Sequence, residues 1–194
     1  MHYYDHGLLG ATLAVGSGAP RRLGAGSVLL AALIGMVPDW DALSQNISAE
    51  SYRAVHRVWG HNLFAVAILG AALGALGWWI QQSADRRAVP VSRPRTELAI
   101  WLALGTLIML SHVLMDVIYC GGFGGPTWPV QLLWPLTSAG FAYPCVSWVD
   151  WPTTLILAVG LLGSLLARRH SQAIACTSLV PLAGHVICRR LWEV

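Results

Sequence analysis

The fold predicted by this sequence is an all-α integral membrane bundle of about five hydrophobic helices, opened by a short, re-entrant N-terminal hairpin. Three observations carry that reading. Hydrophobic residues make up 56% of the chain and charged residues only 11%, against about 25% charged in a soluble domain. The apolar residues fall into runs near the length of a membrane span, separated by turn-forming or arginine-rich stretches. The arginine clusters at 21–22, 86–95 and 168–169 fall on one side if each apolar segment crosses once. The 194 residues fit one domain, taken as residues 1–194.

The elements follow in order. Residues 7–18 are small and apolar and end at Gly18-Ala19-Pro20-Arg21-Arg22; residues 25–37 form a second run that stops at Pro38. Each is shorter than the roughly 20 residues of a full span, so the pair reads as a hairpin of short helices entering the bilayer. Residues 62–80 make a full span ending in the interfacial pair Trp78-Trp79. Residues 82–96, with Arg86, Arg87, Arg93, Arg95 and two prolines, read as a solvated loop. Residues 97–118 span again. Residues 119–150, rich in Gly, Pro and Trp, read as a loop at the membrane surface. Residues 152–167 form the next span, and 172–188 the last apolar helix.

Positive residues stay cytoplasmic, which assigns the arginine clusters inside and the N-terminus, the 38–61 loop and the 119–150 loop outside. Arg189-Arg190 breaks this scheme: either the last helix lies in the interface or the rule fails locally.

Composition also excludes. A net charge of +3, spread over twelve arginines, is no nucleic-acid footprint. The absence of lysine removes Schiff-base and P-loop chemistry, and the absence of Gly-x-Ser-x-Gly argues against acyl-enzyme chemistry. The first apolar run follows Met-His-Tyr-Tyr-Asp-His, with no basic region before it, so no cleaved signal peptide is expected. Cys120 and Cys145 flank one loop and would form a disulfide if that loop met an oxidising compartment. Cys176 and Cys188 read as small buried hydrophobes.

The polar residues inside this apolar chain mark the chemistry. His112 and Asp116, four apart, share one helix face in the span 97–118. A carboxylate there needs a partner, and a metal ion offsets its desolvation. Pro38-Asp39-Trp40-Asp41 offers two carboxylates, one for a metal and the other to orient a histidine or activate water; a plain turn or helix cap has the same pattern. His56 and His61, five apart, cannot share a helix face, so His56 belongs to a loop and His61 opens the following helix. Arg57 would pair bidentately with a phosphate, or else sit among lipid headgroups. His6 joins the same outer side. His170 and His185 fall outside the set, as a loop residue beside arginines and a helix-packing residue. The ligand candidates are His6, Asp39, His61, His112 and Asp116; Asp41 and His56 are candidates as further ligands, as residues that orient the ligands or as catalytic general bases, and Arg57 is the catalytic candidate for holding a phosphate. Histidine-rich ligation suits zinc, one or two ions, and the carboxylates leave manganese or iron open.

His6-Gly7, Pro38-Asp39-Trp40-Asp41, His56-Arg57 with His61, His112-Val113-Leu114-Met115-Asp116 and Trp134-Pro135-Leu136 together resemble the membrane-bound metal-dependent hydrolases of the YdjM type, described as LexA-regulated. That family is in turn similar to the zinc-dependent phospholipase C and nuclease fold. The resemblance implies a metal-dependent hydrolase of the bacterial inner membrane, with Asp116 a candidate bridge between two ions. The family pattern carries a threonine before the second histidine, where this chain has Gly60. The expected substrate is a phosphoester or phosphodiester of a lipid or lipid-linked molecule, met at the extracytoplasmic face. The competing expectation is a metal-binding membrane protein or transporter component without turnover; a transporter needs polar residues continuing across the bilayer, and the middle of 62–80 has none.

Overall fold

The computed structural model describes residues 1–85, 95–121 and 127–192. Arg86, Arg87 and Arg93 of the expected solvated loop, and Gly122, Gly124, Gly125 and Pro126, lie outside the described residues. The described residues form eight α-helices: α1 (Tyr3–Gly16), α2 (Ala19–Leu23), α3 (Gly26–Met36), α4 (Ala49–Val55), α5 (Leu63–Asp85), α6 (Arg95–Ile118), α7 (Trp151–Leu166) and α8 (Ser171–Trp192). Among them the only β-pairing is an isolated antiparallel bridge between Val130 and Phe141.

Among the described residues, four stretches are long and apolar enough to cross a membrane: Gly26–Asn46, Leu63–Ser83, Thr96–Ile118 and Arg168–Leu191; Trp151–Leu166 is a shorter apolar helix. The N-terminal hairpin forms as expected, but its second arm is longer. A 3₁₀ helix, Val37–Asn46, continues α3. Pro38 does not stop the chain there. It stands in the first turn of the 3₁₀ segment, where a missing N–H costs nothing. The expected 38–61 loop also contains α4, capped by Ser48, whose hydroxyl accepts from the Ser51 amide at 2.9 Å.

Three helix pairs build the bundle: α1 with α3, α5 with α6, and α7 with α8. α1 is central and also touches α6, α7 and α8. Two apolar clusters flank it. One joins Ala14, Ile34, Trp101, Ile108 and Val113; the other joins Leu9, Tyr119, Val146, Leu157 and Leu182. With no hydrophobic drive between helices in lipid, close backbone approach takes over. A Cβ on Gly74 or Gly105 would strike the opposite backbone of the α5–α6 pair, and one on Gly35 would strike the His6 carbonyl.

Arg189, which broke the positive-inside pattern, is an ion-pair partner. Its Nη2 lies 3.1 Å from Asp150 Oδ1, and His185 Nε2 lies 2.7 Å from Asp150 Oδ2. Asp150 also caps α7, accepting from the Thr153 amide and hydroxyl. α8 thus runs back along α7 and ends beside its start. Cys120 and Cys145 are buried thiols with no bond between them, and burial pushes the Cys120 thiol up, against thiolate exchange. Cys176 and Cys188, expected to be buried, are exposed, because α8 turns much of its surface outward, toward lipid if it spans.

Candidate metal centre

Four segments meet at one end of the bundle. α1 brings His6, the 3₁₀ segment brings Asp39 and Asp41, the turn between α4 and α5 brings His56, Arg57 and His61, and the last turns of α6 bring His112 and Asp116. His61 stands just before α5 because Asn62 caps that helix, its Oδ1 accepting from the Ala65 amide at 2.8 Å. His6, His61, His112 and Asp116 are each at most 1% exposed.

Asp39, His61, His112 and Asp116 converge on one point. His61 Nε2 lies 3.1 Å from His112 Nε2, 3.2 Å from Asp116 Oδ2 and 3.4 Å from Asp39 Oδ1. His112 Nε2 lies 3.7 Å from Asp39 Oδ1 and 3.8 Å from Asp116 Oδ2. A tetrahedral ion with bonds of roughly 2.0–2.1 Å has ligand–ligand edges of roughly 3.3–3.4 Å, so the cage has the size of such an ion.

The tautomers sharpen the point. His112 Nδ1 donates to the Gly35 carbonyl at 2.7 Å. His61 Nδ1 lies 3.2 Å from Asp41 Oδ2, and a carboxylate there requires a proton on that nitrogen. Neutral rings then turn both Nε2 lone pairs into the cage, beside two carboxylate oxygens. Something positive must lie between them. A proton on His61 satisfies one neighbour at a time; a divalent ion satisfies all four. Burial opposes charge on His61, but Asp116, Asp39 and Asp41 outweigh it and hold its pKa well above the usual imidazole value. The donor set thus fits a cation.

Asp41 stands one layer out. Its Oδ1 lies 2.7 Å from His56 Nδ1, and its Oδ2 takes the Gly60 amide at 3.3 Å besides His61. Gly60, the position where the family pattern has threonine, has no space for a side chain: a Cβ would meet the Pro38 carbonyl. Asp41, His56 and His61 also form a second triple of potential ligand atoms. His6 stands outside the four-atom cage. Its Nε2 lies 3.1 Å from Asp116 Oδ1, its ring stacks on His112 with centroids 3.5 Å apart, and its buried Nδ1 has no hydrogen-bond partner among the described residues. The Met1 amino nitrogen also reaches Asp116 Oδ1, at 2.8 Å.

Arg57 does not face a substrate space. It is 4% exposed and adopts φ 64°, strained for a non-glycine residue. Nη1 donates to the carbonyls of Asp116 at 3.2 Å and Trp128 at 2.8 Å, and Nη2 to that of Tyr119 at 3.2 Å. Nη2 also lies 3.3 Å from Asp116 Oδ1. The guanidinium therefore ties the end of α6 to the following loop and holds the Asp116 carboxylate.

A cavity of about 350 Å³ opens over the centre, lined by Asp39, His56, Trp40, Tyr3 and Tyr52 among others. Asp39 and His56 are the site residues that reach it. The sequence reading missed the Asp150–His185–Arg189 cluster, although His185 and Arg189, four apart in α8, share a face.

No curated protein and no solved structure matches the chain. The family model for YdjM inner membrane proteins matches residues 1–192. With its apolar spans and its buried histidine–carboxylate cluster, this integral inner membrane protein belongs to the YdjM inner membrane protein family.

Proposed function

We propose that the protein is a metal-dependent hydrolase acting on a phosphoester or phosphodiester of a membrane lipid or lipid-linked molecule. The observation that carries this reading is the convergence of two imidazole nitrogens and two carboxylate oxygens on one point beside an open cavity. Asp39, His61, His112 and Asp116 would hold a divalent ion, and their even mix of imidazole nitrogen and carboxylate oxygen suits zinc while leaving manganese or iron open. When bound, the ion supplies Lewis acidity toward a phosphoryl oxygen and toward water.

The chain's own residues supply the rest. His61 and His112 are oriented by Asp41 and the Gly35 carbonyl, as ligating histidines usually are. His56, held by Asp41 at 2.7 Å and lining the cavity, takes a proton from attacking water or returns one to the leaving oxygen. Arg57 positions Asp116 rather than binding phosphate. His6, against the second oxygen of Asp116, is the residue on which a second ion would depend. The site is taken to face the extracytoplasmic side, opposite Arg21, Arg22, Arg168 and Arg169.

One observation favours a second reading. Four protein donors closing a tetrahedron is the pattern of structural zinc sites, whereas catalytic sites keep a position open. Elemental analysis of the purified protein, with turnover on phospholipid vesicles and on a generic aryl phosphodiester, separates the two. Stoichiometric metal with turnover, both lost in His112→Asn, supports the hydrolase. Metal without turnover on either substrate overturns the phosphodiester reading in favour of the binding protein, and no metal in the wild type overturns both.

A further inference from the structure

At the end of the bundle away from the metal centre, α3 and α7 flank α1 without packing closely on each other. The cleft between them is a cavity of about 790 Å³, within the range of ligand pockets. Its floor is Ala11 and Val15 of α1, and Leu29 and Leu165 stand on its two walls. The Ser164 hydroxyl on the wall is already used, donating to the Gly160 carbonyl at 2.7 Å. The walls therefore offer water little to bind, and in a bilayer a hydrocarbon chain is the natural filler.

The mouth is different. Arg21 and Arg168 line it, and among the described residues neither is paired with a carboxylate. Arg21 Nη1 instead donates to Gln172 Oε1 at 2.7 Å, which fixes the guanidinium across the mouth. α8 starts at Ser171, also at the mouth, so the positive end of its dipole adds to the two arginines. An apolar slot under an uncompensated cationic mouth complements an amphiphile with one anionic head.

We propose that this groove binds one anionic phospholipid, its acyl chain along the α1 floor and its phosphate between Arg21 and Arg168. The site is separate from the metal centre and does not depend on the hydrolase reading.

Native mass spectrometry of the full chain in detergent, titrated with phosphatidylglycerol or with phosphatidylcholine of identical chains, tests it. The expected result is one retained phosphatidylglycerol, favoured about tenfold or more over phosphatidylcholine. Arg21→Gln with Arg168→Gln should erase the preference, and Arg21→Lys with Arg168→Lys should keep most of it. Ala32 of α3 also lines the groove, and Ala32→Trp, which fills it, should weaken both lipids. If the glutamine pair fails to fold, the wild-type preference and Ala32→Trp still decide. Equal retention of the two lipids, a preference that survives the glutamine pair, or retention untouched by Ala32→Trp overturns the proposal. So does full competition by glycerol phosphate, which has no chain, or a dimer whose formation excludes lipid.

Discussion

Asp41 Oδ1 lies 2.7 Å from His56 Nδ1, and this contact separates two tasks within one short stretch of chain. The other oxygen of Asp41 steadies His61 in the ligand cage, while His56 faces the cavity. Removing the carboxylate by Asp41→Asn should weaken metal binding about 10–100-fold and reduce turnover with it. His56→Gln should leave metal content intact and lower turnover about 10²–10⁴-fold. Chelator competition and initial rates on the same preparations check both. Loss of metal in His56→Gln would show that His56 is a ligand instead.

Gly35 sits where α3 touches α1. A Cβ there would meet the His6 carbonyl, a backbone atom that cannot swing aside, and Gly35's own carbonyl anchors His112. Gly35→Ala should destabilise the protein by about 1–3 kcal/mol and loosen the metal centre. Gly26→Ala, at the open start of the same helix with nothing within 4 Å of its Cβ, should stay within about 0.5 kcal/mol of wild type. Thermal midpoints of the two variants, compared side by side, measure the contrast; equal midpoints would mean that the two helices part freely.

Acid should weaken the α7–α8 clasp. Burial pushes the Asp150 carboxyl up, but Thr153, Arg189 and His185 outweigh it and hold its pKa below the usual carboxylate value. A carboxyl with a folded pKa below its unfolded one adds stability that is complete above the unfolded pKa, about 3.9, and is lost as pH falls through the folded pKa. Asn keeps the helix cap while removing the charge, so Asp150→Asn isolates the ion pairing. The wild-type advantage in thermal midpoint over Asp150→Asn should shrink as pH falls below about 4. An advantage that grows as pH falls below about 4 would reverse the assigned sign.

The helices and the polar residues that converge at one end of the bundle were legible in the sequence for the same reason. In a chain this apolar, span-length runs stand out by composition, and His61, His112 and Asp116 stand out as groups that hydrocarbon does not tolerate alone. What was not legible depends on direction. Asp39 and Asp41 straddle Trp40 identically in sequence; only the 3₁₀ path of Val37–Asn46 turns one toward the cage and the other toward His56. Arg57 read as a phosphate ligand because nothing in its neighbours announces a left-handed backbone or three carbonyls 59 to 71 residues away. The arginine at 189 looked like a violation because Asp150, its partner, caps another helix.

The four donors of the cage all lie between Asp39 and Asp116, so α7 and α8 contribute none of them. A nascent chain therefore holds all four candidate ligands once α6 has entered the bilayer, while its last third is still being made. Since the N-terminal portion of a growing chain folds first, the proposed centre would be able to capture its ion before the final hairpin arrives. That hairpin then locks onto α1 through the hydrogen bond from Thr154 to Asp5, 2.6 Å long. Truncation after α6 would thus cost the bundle one wall and leave its ion chemistry's raw material in place.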